Sequence, residues 1–299
     1  MRMIFIVANP SAGRGRAARI IRELHSGPSD LHVAGILTTQ SPGDEARLAA
    51  EALAHGATTI VVIGGDGTFS KVAQEILDSA SSCALAVVPV GTGNDIAKTL
   101  GVYRHTAADV LQLASSGKPS RMDVGLADGR YFVNTCGFGF DSSVLEATQN
   151  VRFLKGDALY IYSALAQLYS YRGVTVTIEG ANGRKTQTML MAVASIGRSL
   201  GGAFRIAPNA SALDGKLDFC VVGDNNVWER VRLFAGALRG THVTLPGVTS
   251  LKAARLSLTF ESNPTMEMDG ELRRALSRTV TLECVPKALV VVAAPGFPL

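Results

Sequence analysis

Residues 58–68 read Thr-Thr-Ile-Val-Val-Ile-Gly-Gly-Asp-Gly-Thr, an apolar run that empties into a glycine-rich turn holding one carboxylate. The four apolar residues Ile60 to Ile63, closed by glycine, are the pattern of a central parallel strand covered on both faces. Gly64, Gly65 and Gly67 free the backbone for positive φ and for close approach to a ligand. Asp66 stands where such a loop meets phosphates, an electrostatic mismatch unless a cation lies between them. The segment points to a nucleotide bound through a metal.

The surroundings of this segment predict the fold class. Strands are expected at Ile4–Ala8, Val33–Leu37, Ile60–Ile63 and Leu85–Val88, with helical spacing at Arg16–Leu24, Pro42–Ala54 and Phe69–Leu77. That alternation predicts an α/β domain with a parallel sheet, whose ligands bind at the carboxyl ends of the strands. From residue 121 the rhythm changes to short apolar runs parted by turn signals: Tyr131–Thr135, Val174–Ile178, Met189–Ala194, Leu217–Val222, Leu256–Phe260, Thr279–Cys284 and Leu289–Val292. These predict a mostly antiparallel β-sandwich. Helical insertions are expected at Gly156–Tyr171 and Val227–Leu238. With Gly117 and Pro119 at the boundary, the expected domains are 1–122 and 123–299, the extreme C-terminus being free to pack back on the first.

Composition excludes several classes. A chain of 299 residues, 47% apolar and 18% charged, has ample material for two cores. A net charge of +4 without a dense Lys/Arg block gives no case for nucleic acid. Cys83, Cys136, Cys220 and Cys284 lie far apart in apolar runs, which fits reduced, buried thiols in a cytosolic protein. The apolar run at the N-terminus is too short for a signal-peptide core. No stretch approaches the ~18 apolar residues of a membrane span, so any membrane contact is peripheral.

Three further clusters accompany Gly64–Thr68. Asn9-Pro10-Ser11-Ala12-Gly13-Arg14-Gly15 follows the first strand and precedes a helix N-terminus, where backbone N–H groups suit an anion, although a plain strand-to-helix turn has the same look. Pro89-Val90-Gly91-Thr92-Gly93-Asn94-Asp95 follows the fourth strand; Thr92 and the glycines suit phosphate or ribose, and Asn94 or Asp95 equally suits a helix cap. Asp66 or Thr68 capping the next helix is the corresponding plain reading of the second cluster. In Met266-Glu267-Met268-Asp269-Gly270-Glu271, extended alternation puts Glu267, Asp269 and Glu271 on one face, either a solvated face or carboxylates that reach a substrate proton.

The set Gly64–Thr68, Gly91–Asp95 and Asp269–Glu271 resembles the soluble diacylglycerol kinase/sphingosine kinase family of lipid kinases, its bacterial members above all. The resemblance runs through Asn9-Pro10, Asp123-Val124-Gly125, Asn134 to Asp141, Lys155-Gly156, Ile206 to Ala210 and Asp214-Gly215. It implies a phosphofructokinase- or NAD kinase-like α/β domain joined to a β-sandwich lipid domain, with ATP in the cleft between them. By the family pattern ATP contacts are Asn9, Pro10, Ser11, Ala12, Gly13, Thr39, Gly65, Asp66, Gly67, Thr68, Phe69, Ser70, Lys71 and Thr92. Glu271 is implied as general base, with Asp269 near the phosphates and metal. A structural Mg²⁺ is implied on the Asp214 side chain and the backbone carbonyls of Ser211 and Lys216, linked through water to Asp66, with Asp95 in the same network. Phe69-Ser70-Lys71 departs from the family's usual Leu-Asn-Glu.

The activity expected is transfer of the ATP γ-phosphoryl to a lipid hydroxyl, diacylglycerol first, with Glu271, Asp269 and Asp66 as catalytic residues. The partners expected are ATP, Mg²⁺ and a lipid reached peripherally at the inner face of the membrane; a homodimer stays open. The stripe Leu159, Tyr160, Tyr162, Leu165, Leu168, Tyr169 and Tyr171, flanked by Arg152, Lys155 and Arg172, reads either as an interfacial helix or as core packing. An NAD kinase shares the Gly-Gly-Asp-Gly loop, but its second signature (Thr-Pro-Thr-Gly-Ser-Thr-Ala-Tyr) is missing here. A non-catalytic ATP- or lipid-binding regulator is the remaining alternative.

Overall fold

A computed structural model describes residues 2–26, 33–148, 162, 163, 165, 167–169, 171–181 and 183–299. The chain forms two compact units: Met1–Met122 together with Lys287–Leu299, and Asp123–Pro286.

The first unit holds β1 (Ile4–Ala8), a 3₁₀ turn at Ala12–Gly15, α1 (Arg16–Ser26), β2 (Val33–Thr38), α2 (Asp44–Ala54), β3 (Thr59–Gly64), α3 (Asp66–Asp78), β4 (Ala84–Pro89), α4 (Asp95–Thr99) and α5 (Ala107–Ser116). Its strands run parallel in the order β2-β1-β3-β4. Near the chain's end, Val291 adds a parallel pairing to Leu85 on the far side of β4. β1 and β3 are buried along their whole length and β2 is only partly covered, as central and edge strands should be. Because β1 leads to β2 on one side while β3 lies on the other, the strand order reverses between β1 and β3. Their carboxyl ends open there, the place where sheets of this kind bind ligands. α3 packs with helical periodicity: Phe69, Val72, Ala73 and Ile76 are buried at i, i+3, i+4 and i+7. α5 starts on a capping box between Thr106 and Asp109.

The second unit is antiparallel. β7 (Thr135–Gly139) is followed by α6 (Phe140–Thr148), then β8 (Val174–Gly180), β9 (Gly183–Ser195), β10 (Leu217–Gly223) and α7 (Val227–Arg239). β11 (Val248–Ala253), β12 (Arg255–Phe260), β13 (Thr265–Met268), β14 (Glu271–Arg274) and β15 (Thr279–Val291) complete it, and the hairpin of β5 (Ser120–Ala127) with β6 (Arg130–Phe132) precedes it. β9 organises the layers. Its first half pairs with β8, and its second half lies between β7 and β10. β8 continues to β12 and β15, and β7 to the β13–β14 hairpin. A core of Phe140, Val144, Leu190, Val193, Ile206, Val222 and Leu233 fills the space under α6 and α7.

All four cysteines are free and buried. Among the described residues no helix is long and apolar enough to cross a membrane. The expected helix at Gly156–Tyr171 falls largely outside the described residues, as do Arg152 and Lys155. Of its described residues, Leu168 belongs to the core, whereas Tyr162, Leu165 and Tyr169 are exposed.

Phe69, one of the positions that departs from the family pattern, is fully buried. Phe69→Ala should therefore cost about 3–5 kcal/mol of unfolding free energy through the cavity it leaves, measured by urea denaturation. A loss under about 1 kcal/mol would show that α3 does not depend on this anchor.

Candidate functional site

In the first unit the three glycine-bearing loops meet. A Cβ on Gly91 would stand 2.7 Å from the Gly65 Cα, and a Cβ on Gly13 would stand 2.0 Å from the Val90 carbonyl oxygen. The loops after β1, β3 and β4 thus touch backbone to backbone, at a distance only glycine allows. Arg16 clamps the first loop to the third: its Nη2 donates to the carbonyls of Val90 at 2.9 Å and Gly91 at 3.1 Å, and its Nε to that of Gly13 at 3.3 Å. Asn9 N–H donates to Ile63, and Thr39 N–H to Ala8, which brings Thr39 to the same edge.

α3 begins here, with Gly65 as N-cap and no side-chain cap. Its first turn therefore presents backbone N–H groups and the positive end of the helix dipole beside open space, since a Cβ on Gly67 would meet nothing within 4 Å. This cradle fits a phosphate group. Ser11, Gly67 and Thr92 are exposed around it, and Asn9, Pro10, Ala12, Gly13, Gly65, Asp66, Ser70 and Lys71 are partly so. The Thr68 and Phe69 side chains instead turn inward, Thr68 against Gly64, so they support the loop from beneath. Lys71 lies 3.9 Å from the buried Glu45, which accounts for the charge reversal in the motif.

Asp66 does not cap its own helix. Its Oδ1 accepts the N–H of Ile96 at 2.9 Å and so caps α4 from outside. Asn94 adopts a left-handed conformation (φ 50°) without capping α4; its Nδ2 donates to Gly91. Burial, and then the charge of Asp95, push the Asp66 carboxyl up to about 6. Lys98, 2.8 Å from Asp95 Oδ1, holds the second acid.

In the second unit the expected alternation of acids fails at a turn. β13 and β14 form a hairpin in which Met268 pairs with Glu271, and Asp269 (φ 49°) and Gly270 (φ 89°) make the bend. Glu267 is consequently buried, not on a solvated face. Burial, and next the charge of Asp141, raise its pKa well above the usual carboxylate range. The Gly270 N–H donates to Glu267 Oε1. Asp269 points to a ring of backbone donors: Val133 N–H at 2.8 Å on Oδ2, and Asn134 and Thr135 N–H at 2.9 and 3.1 Å on Oδ1. Its carboxylate anchors the hairpin. Glu271, at the start of β14, is partly exposed and paired with Arg273 at 2.9 Å.

Of the residues implied for a structural Mg²⁺, Asp214 is paired with an ammonium. Asp214 Oδ1 accepts the Lys216 N–H at 3.1 Å, and its Oδ2 takes the Lys252 ammonium at 2.6 Å. Lys252 also reaches Asp218 Oδ2 and the Asn209 carbonyl, each at 3.1 Å. Ser211 Oγ accepts from Leu213 N–H at 3.4 Å. Burial works against the charge on Lys252, but the two aspartates outweigh it and raise its pKa. Each Asp214 oxygen thus already accepts one hydrogen bond, one of them from an ammonium. Among the described residues no group of three or more His, Cys, Asp or Glu has metal-holding geometry.

Arg16, Lys252 and the Glu267–Asp141 pair escape sequence reasoning, because their partners lie far away along the chain. One local signal did exist for Glu267: it sits between two methionines on a four-residue strand. The same unit contains an apolar cavity of about 70 Å³ lined by Phe140, Leu190, Met191, Leu200, Phe204 and Leu233, among others.

Two predictions follow from these charges. A carboxyl whose native pKa exceeds its unfolded value near 3.9 keeps its proton better in the folded state. Its contribution is therefore lost as pH rises between about 4 and 6. Across that window wild type should lose on the order of 2 kcal/mol relative to Asp66→Asn in urea titrations; parallel pH profiles would refute the shift. For Lys252→Met, the melting temperature in EDTA should fall by about 2–4 °C, while wild type melts identically in EDTA and in millimolar Mg²⁺. A wild-type Mg²⁺ shift abolished by Asp214→Asn would show that a divalent ion displaces the ammonium.

Residues 3–127 match the family model described as the diacylglycerol kinase catalytic domain, and residues 134–293 match the YegS C-terminal NAD kinase beta sandwich-like domain. The diacylglycerol kinase of Bacillus subtilis is 26% identical over 276 residues, covering 91% of this chain and 90% of its own. A probable lipid kinase YegS-like of Pseudomonas putida is 32% identical over 205 residues, covering 67% and 69%. The crystal structure of a putative diacylglycerol kinase from Bacillus anthracis has the same fold, with a TM-score of 0.79 at 23% identity over 98% of this chain and 96% of that one. The chain belongs to the diacylglycerol kinase and YegS-like family of bacterial lipid kinases.

Proposed function

We propose that this protein uses ATP to phosphorylate the free hydroxyl of a diacylglycerol. The observation that carries this reading is the convergence of three glycine loops on the uncapped N-terminus of α3, with Asp66 beside it. Backbone N–H groups there suit phosphate oxygens. Asp66, already held against burial and the like charge of Asp95, is the group that gains most when a cation arrives. Bound Mg²⁺ supplies charge neutralisation on the transferring phosphoryl group. Relatives named as diacylglycerol kinases support the acceptor, as does the apolar cavity, which an acyl chain enters only by parting the side chains around it.

Glu271 accepts the proton of the attacking hydroxyl. Its pairing with Arg273 orients it, and a carboxylate is a weak base, so the proton leaves late, as the P–O bond forms. Asp269 serves by holding the turn that presents Glu271.

Labelled ATP with Mg²⁺ and a panel of diacylglycerol, sphingoid base and NAD tests the reading. Label in a chloroform-extractable phosphatidic acid is expected; label in NADP would select an NAD kinase, and no transfer a binding regulator. Glu271→Gln should lower turnover by about 10²–10⁴-fold with an unchanged denaturation midpoint. Wild-type turnover in that variant removes Glu271 from the mechanism.

A further inference from the structure

α7 has an outer face that no described residue of the second unit covers. Trp228 is 84% exposed, Val231 43% and Leu238 38%, and Val227, Arg232, Ala235 and Arg239 are also exposed. At about 100° per residue these seven side chains fall within roughly 140° of the helix circumference. Val227, Leu238, Val231, Ala235 and Trp228 follow one another around that arc, and Arg239 and Arg232 form its edge. The one acid of the helix, Glu229, is turned away into the capping box with Asn226. Arg205, also exposed, adds a third cation at the C-terminal end, where its N–H donates to the Ala237 carbonyl.

The inner face of the same helix is committed. Leu233, Phe234 and Ala237 line the apolar cavity. Arg230 is buried and donates to the carbonyls of Leu168 and Tyr171 and to Asp224 Oδ1. Those bonds fix α7 beside the segment carrying Tyr169, 81% exposed, and Leu165, 49% exposed.

We propose that the outer face of α7 docks the protein onto an anionic lipid bilayer, with Trp228, Val231 and Leu238 inserted at the headgroup boundary and Arg232, Arg239 and Arg205 on the lipid phosphates. A single-sided apolar arc that ends in an indole beside guanidinium groups at one edge matches an interfacial helix. The charge selects the occupant: three arginines and no free acid on the arc complement a negative surface and repel a second copy of the same face. The inference deepens the lipid-kinase reading, because it sets the wall of the apolar cavity against the phase that holds the acceptor.

Trp228 is the chain's single tryptophan, so its fluorescence reports on this face alone. Full-length protein is titrated with phosphatidylcholine vesicles with and without phosphatidylglycerol. A blue shift of the emission and loss of iodide quenching are expected with the anionic vesicles only. The double variant Val231→Asp/Leu238→Asp should bind at least about 10-fold more weakly, since each change sets a charge in the interface, while turnover on diacylglycerol in detergent micelles is unchanged. Unshifted emission with anionic vesicles, or equal vesicle binding by the double variant, overturns the proposal. So does a blue shift that grows with protein concentration alone and accompanies a sedimenting dimer. Vesicle binding without phosphoryl transfer would leave the docking face standing and remove the kinase reading.

Discussion

The nucleotide-side architecture depends on one steric fact: the backbones of Gly65 and Gly91 touch. A methyl group at either position would drive β3's loop away from β4's, and with it the N-terminus of α3. The contact follows from topology. β1, β3 and β4 are adjacent and parallel, so their loops leave the sheet at one edge and must share its width. Strand spacing near 4.8 Å leaves no room for side chains between loops that turn back so tightly. Arg16 then supplies the donors that three carbonyl oxygens in that crowded space require.

Charge is distributed on top of this frame at a cost. Asp95 lies close enough to oppose the ionisation of Asp66, and the α4 N-terminus and Lys98 work against that effect. The proposed function puts a cation beside this carboxylate, where it would relieve that opposition. In the second unit the logic differs. Asp269 has three backbone donors, whereas burial and the charge of Asp141 raise the pKa of Glu267. Of the acids in that hairpin, Asp269 and Glu271 are both partly exposed and Glu267 is buried.

What the sequence disclosed tracks the range of the interactions. Strands β1, β3 and β4 were legible because a strand buried on both faces is a continuous apolar run, and α3 because Phe69, Val72, Ala73 and Ile76 keep one face. The glycine loops were legible because their geometry demands a residue without a Cβ. Alternation misplaced Glu267, since period-two reasoning assumes an unbroken strand and two left-handed residues bend this one. The family pattern named Asp214 but could not show that Lys252, 38 residues along the chain, would occupy it. The Thr68 and Phe69 side chains turn inward, a direction that the motif alone does not specify.

Lys252 and α7 share a lesson about cations in this unit. An ammonium that satisfies two carboxylates and a carbonyl is a permanent counter-ion, independent of what the medium supplies. It pins β11 to the 209–216 loop and to β10 without a metal. Arg230 plays a similar part, placing four hydrogen bonds on Asn225, Leu168, Tyr171 and Asp224 to hold α7 in place. The helix is thus fixed from its polar inner edge, and its apolar outer arc is left with no structural duty. No described residue covers this Trp-bearing face, and exposed apolar area of that kind is costly in water; the docking proposed above would remove it from water.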